Sequence, residues 1–195
     1  MSRVLELICH SDTPCGAEIG LSVTVDRQKD AVLDLRYRIA GNVDALAIGA
    51  PVVPGRGHEL WRTTCFEAFV AGAQGTGYRE YNLAPTGAWA AYRFSGYRKG
   101  MRDADIVPPK MEIARGEHHL DLRTRLFLPE SGPVRLGLSA VIEERGGRIS
   151  YWALAHAPGK PDFHDPACFA LELPAPEVSA AKAETGVAPD NATGT

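Results

Sequence analysis

The sequence predicts an all-β fold, a two-sheet antiparallel β-sandwich of the immunoglobulin-like or jelly-roll type, on three observations. Apolar and polar residues alternate with period two in short stretches from end to end. Clusters of glycine and proline separate those stretches at short intervals. No long segment carries the 3.6-residue period of a helix. About ten short strands with frequent turns suit a sandwich or a barrel.

The alternation is plainest in four places. Ile19, Leu21, Val23 and Val25 alternate with polar or small neighbours, and Leu33, Leu35, Tyr37 and Ile39 with Asp34, Arg36 and Arg38. Leu120, Leu122, Thr124 and Leu126 alternate with Asp121, Arg123 and Arg125, and Val134, Leu136, Leu138, Ala140 and Ile142 continue the pattern. Each has one apolar and one wetter face, as in antiparallel strands covering a core on one side. Further strands are expected over 4–9, 65–70, 78–83, 89–94, 149–154 and 168–173. Turn clusters at 51–57, 72–77, 85–87, 130–133 and 145–147 supply the special backbone angles that end ladders.

With 195 residues the chain can bury a core without disulfide or metal staples. Its 45% apolar and 23% charged residues are ordinary for a folded protein. Its 21 Lys and Arg against 24 Asp and Glu give a net charge of −3, which argues against a general phosphate-backbone binder. No apolar run reaches the roughly 18 residues of a membrane span, and Glu6 interrupts the apolar start, so the cytoplasm is the expected location. Cys9, Cys15, Cys65 and Cys168 form no CxxC pair and read as free thiols, the last two inside strands. Residues 1–174 read as one domain. Residues 175–195 lack aromatics, leucine and isoleucine, and are expected to form a disordered tail.

The most informative stretch runs from His58 to Met101. On a strand, Cys65, Glu67 and Phe69 share one face; on the next, Tyr78, Glu80 and Asn82 do. Hairpin-connected strands could then gather Glu67, Glu80 or Asn82, and Trp89, with Trp61 close in sequence. Flat aromatic faces with convergent carboxylate and amide groups suit a polyhydroxylated small ligand. The plainer alternative makes the tryptophans core residues and pairs Glu67 with Arg62 or Arg93.

The segments LWRTTCFEAFV, YREYNLAPTGAWAAYRFSGYRKGM and SYWALAHAPGKPDFHDPACFALEL resemble the bacterial DOMON-like domains, which are related to family-9 carbohydrate-binding modules. The resemblance spans residues 60–173. It implies a β-sandwich whose cleft binds a sugar or, in other branches, a b-type haem. Carried over by position, it implies Trp61, Glu67, Asn82 and Trp89 as cleft lining, with His156 closing it from the C-terminal loop.

Other chemistries are weighed against that reading. His156, Asp162, His164 and Asp165 lie in a proline-rich loop with Lys160, where imidazole and carboxylate could ligate a metal, but no strict zinc spacing is met. A haem site would draw on Met101 or Met111 with His156. A glycan hydrolase would use Glu67 and Glu80 as its carboxylate pair. Cys65 sits among apolar residues, as a buried thiol does, rather than a nucleophile. Tyr92–Lys99 interleaves aromatics and cations, a pattern of single-strand nucleic-acid binders that the acidic net charge opposes. The tandem His118-His119 reads as structural. The expectation is a non-catalytic module for a sugar-like small molecule, with no metal, cofactor, nucleic acid or membrane partner.

Overall fold

The computed structural model describes residues 2–28 and 31–176. Nearly all of the expected tail, 177–195, lies outside the described residues. The strands among the described residues are β1 (Arg3–Cys9), β2 (Ile19–Arg27), β3 (Val32–Gly41), β4 (Gly55–Arg56), β5 (Cys65–Gly72), β6 (Tyr78–Leu83) and β7 (Ala88–Phe94). They continue with β8 (Arg102–Asp103), β9 (Lys110–Gly116), β10 (His119–Phe127), β11 (Val134–Glu143), β12 (Ile149–Ala153) and β13 (Leu171–Leu173). No α-helix occurs among the described residues, and short 3-10 turns such as Leu60–Arg62 and Pro166–Cys168 are the helical pieces. None is long and apolar enough to cross a membrane. The fold is all-β.

The strands form one connected path, β4-β7-β6-β5-β11-β12-β1-β2-β3-β10-β9, with β13 added on β11 and β8 on β7. Where two separate sheets are expected from the sequence, β1 joins the halves: Arg3–Leu7 pair with β2, and Ile8 and Cys9 with β12. The pairing of β4 with β7 is parallel, so the sheet is mixed.

The path curls. Tyr37 of β3 stacks on Phe66 of β5 with ring centroids 4.9 Å apart, and its hydroxyl donates to the Glu67 carbonyl at 2.7 Å. The enclosed core takes Leu21, Val23, Leu35 and Ile39 from one half and Phe66, Ala68, Leu83 and Leu138 from the other. Each fully buried Val, Leu, Ile or Phe among them contributes about 1.5–3 kcal/mol by leaving water.

The two halves are buried differently. β3 alternates buried and half-buried positions, because its outer face is wet. β5 is buried from Cys65 to Ala71 on both faces. Its outer face lies under residues 157–169, whose Phe163, Cys168 and Phe169 pack on Phe69, Tyr78 and Phe94 in a second apolar cluster. Gly137 of β11 permits this close cover, since a Cβ there would stand 2.8 Å from Phe169 Cδ1. Cys168, expected inside a strand, instead ends the 3-10 turn Pro166–Cys168, because Pro166 removes a ladder donor and the Asp165 side chain caps the turn at Ala167 N.

Candidate functional site

Strand register gathers the polar residues on the covered outer face. Across β5 and β6, Glu67 pairs with Asn82 and Phe69 with Glu80, so Glu67, Glu80 and Asn82 point the same way. All three are buried, at 3%, 4% and 0% exposure. A cleft of about 750 Å³ opens above the two carboxyls. Trp61, Phe94, Tyr151 and Phe163 form apolar walls, and Arg98, Lys160 and Asp12 stand at its edge. Trp61 comes from the turn Leu60–Arg62 and meets Tyr92 edge-on at 6.0 Å.

The carboxyls are differently held. Asn82 Nδ2 donates to Glu80 Oε1 at 2.6 Å, and Cys65 Sγ in turn donates to Asn82 Oδ1 at 3.8 Å. Burial still pushes the Glu80 carboxyl up to about 6, against the pull of Asn82 and the Arg98 charge. Burial, and then the neighbouring Glu80, hold Glu67 well above the usual carboxylate range. Two acids buried beside each other oppose each other's ionisation, so the pair retains a proton to higher pH than an exposed acid would.

Residues 158–165 form the far wall, and hydrogen bonds fasten them. Asp162 accepts from the Tyr97 hydroxyl, from Arg98 Nη2 at 2.7 Å and from the His164 amide at 3.1 Å. Burial opposes ionisation of Asp162, but the Arg98 and Tyr97 hydrogen bonds outweigh it and lower its pKa. His164 Nδ1 lies 2.7 Å from the Tyr78 hydroxyl, which also receives the Arg98 amide at 3.3 Å. A hydroxyl that donates to Nδ1 leaves the imidazole proton on Nε2. Nε2 stands 3.8 Å from Glu80 Oε2, too far for a hydrogen bond. Burial, and then Arg98, bring His164 down to about 4, so it is neutral at physiological pH.

Of the residues singled out in the sequence, Trp61 and Glu67 line the cleft, and Asn82 lies directly behind it, bonded to Glu80. Trp89 does not join them. It pairs with Leu83, one residue beyond Asn82, and therefore faces the enclosed core, with the Arg56 guanidinium 4.6 Å from its ring centroid. His156 is also elsewhere: its Nε2 meets the Ile8 carbonyl at 2.8 Å, and its ring packs edge-on against His10. Met101 is among the residues lining the cleft, whereas Met111 packs against the enclosed core.

Arg62 pairs with Glu59 rather than Glu67. The loop histidines and aspartates make no metal cluster, for among the described residues no group of three or more His, Cys, Asp or Glu could hold an ion. Their polar atoms turn to Ile8, Tyr78, Arg98 and Ala167 instead. Tyr78 and Arg98 escaped the sequence reading of the site. Tyr78 shares the Glu80 face by alternation, but its partner is 86 residues away, and no local signal joins them.

No family model matches the chain, and no curated protein does. Two solved structures are similar in fold. One is a candidate carbohydrate-binding protein from Bacteroides uniformis, 14% identical, with a TM-score of 0.63 over 86% of this chain and 83% of that one. The other is a family-9 carbohydrate-binding module from Caldicellulosiruptor kristjanssonii in complex with cellotriose, 11% identical, with a TM-score of 0.56 over 96% of this chain and 89% of that one. At those identities the likeness is one of architecture.

Proposed function

We propose that this chain is a non-catalytic module that binds a carbohydrate or a related polar metabolite in the cleft over Glu67 and Glu80. One observation carries the reading. Glu67 is buried and faces the cleft, yet among the described residues no hydrogen bond reaches its carboxyl, and only its backbone carbonyl is engaged, by Tyr37. Buried polar groups are ordinarily satisfied, and one left open toward a cavity is matched by the donors of a ligand. Trp61 and Tyr151 offer flat faces for the apolar side of a sugar ring. Architectural likeness to a module held with cellotriose supports the same reading. So does the DOMON-like resemblance of residues 60–173, and in this reading the facing halves of the curled sheet act as the layers of a sandwich. The free cysteines accord with a cytoplasmic setting.

The test is a panel of mono- and oligosaccharides titrated calorimetrically against the chain and its Trp61→Ala variant. Saturable binding that Trp61→Ala weakens supports the reading. Binding that ignores Trp61→Ala places the site elsewhere and sinks it.

A second reading is favoured by the unequal carboxyls. A carboxyl raised well above the usual range beside one raised to about 6 is the pairing a glycosidase needs, so Glu67 as general acid and Glu80 as its partner would make a hydrolase. Product release from the same glycan panel, abolished by Glu67→Gln, separates it from pure binding.

A further inference from the structure

The floor and the rim of the cleft differ in charge. Glu67 and Glu80 make the floor, and the only hydrogen bond the described residues give their four carboxyl oxygens comes from Asn82. Among the described residues no Lys or Arg is within salt-bridge distance of either, and His164, 3.8 Å from Glu80, is neutral. The basic groups lie further out. Arg98 is committed to Asp162, and Lys160 is exposed at the edge. On β11, directly across from Glu67, the buried Ser139 Oγ also lacks a partner.

Even with a proton retained on one of the pair, the ionised partner is a buried carboxylate without a counter-charge, which is costly. A neutral polyol would relieve this with hydroxyl donors alone. A protonated amine supplies both the missing donors and the missing charge. We infer that the cleft selects ligands bearing a protonated amine, and that amino sugars are the class that also fits its aromatic walls. This rests on the reading of the cleft as a sugar site.

The experiment compares glucosamine, glucose and N-acetylglucosamine by calorimetric titration of the intact chain at neutral pH. These probes share a ring and differ in whether the 2-substituent is charged. Glucosamine is expected to bind roughly tenfold or more tighter than either neutral sugar. Glu80→Gln, verified as folded by its unfolding transition, is expected to erase that margin. Should a variant fail to fold, the ranking on the unmodified chain decides alone. Glucose bound in a Trp61-dependent way, with glucosamine no tighter, overturns the amine inference and leaves the sugar site standing. A margin that survives Glu80→Gln overturns it as well. If none of the three sugars binds, the sugar site falls and the inference with it.

Discussion

The Tyr78 hydroxyl and His164 Nδ1, 2.7 Å apart, tie strand β6 to the loop that walls the cleft. The bond fixes the imidazole orientation and turns Nε2 toward Glu80. Tyr78→Phe keeps the ring stack on Phe94, whose centroid lies 4.7 Å away, and removes only the hydroxyl. The expected loss is about 1–2 kcal/mol of unfolding free energy, because a buried acceptor is left unmet. Nitrogen chemical shifts should show the Nε2–H tautomer in the parent chain and a mixture of tautomers in the variant.

Glu80→Gln is expected to change stability in a pH-dependent way. The folded carboxyl is raised to about 6, so protonated Glu80 is favoured by folding. Its contribution is therefore fully present below the unfolded carboxylate range and is lost as pH rises through about 6. The variant, which never ionises, should exceed the parent by about 2 kcal/mol above pH 7 and lose that margin near pH 4. His164 acts oppositely: its pKa is lowered to about 4, so its contribution is present above the ordinary histidine range and lost as pH falls through about 4. Chemical denaturation across this pH range, parent against variant, isolates the Glu80 term. A margin independent of pH would contradict the assignment.

The two tryptophans should separate cleanly. Trp61 lies on the cleft wall, so Trp61→Ala is expected to weaken sugar binding with little effect on the melting temperature. Trp89 is 7% exposed inside the enclosed core, so Trp89→Ala should cost about 3–5 kcal/mol. Calorimetric binding and thermal unfolding of both variants check this. An unaltered melting temperature for Trp89→Ala would remove Trp89 from the core.

Gly137→Ala probes the cover over the site. The new methyl would meet the Phe169 ring at 2.8 Å and push it from β11. Overpacking of this kind costs about 1–3 kcal/mol. Because Phe169 packs beside His164 on Phe69, the displacement should also raise amide exchange across 157–169.

Much of the strand pattern could be read from the chain alone. Period-two alternation located β2, β3 and β10, because an antiparallel strand with one wet face writes its burial into every second residue. It located β11 through its alternating large and small residues, although both its faces are buried. Alternation also put Glu67 and Asn82 on definable faces, and Trp61 beside them in sequence. What it could not decide is which face of β7 meets the cleft. One step of register against β6 sets Trp89 opposite Leu83 and sends it into the core, while Ala90 stands opposite Asn82. Long-range contact decided the rest. The loop 157–169 covers β5 and buries both of its faces, which desolvates Glu67 and Glu80 and brings His164 to Tyr78. Side-chain period is a local property of one strand, whereas burial of a charge depends on what folds over it. The tertiary fold alone turned two ordinary strand glutamates into the floor of a cleft.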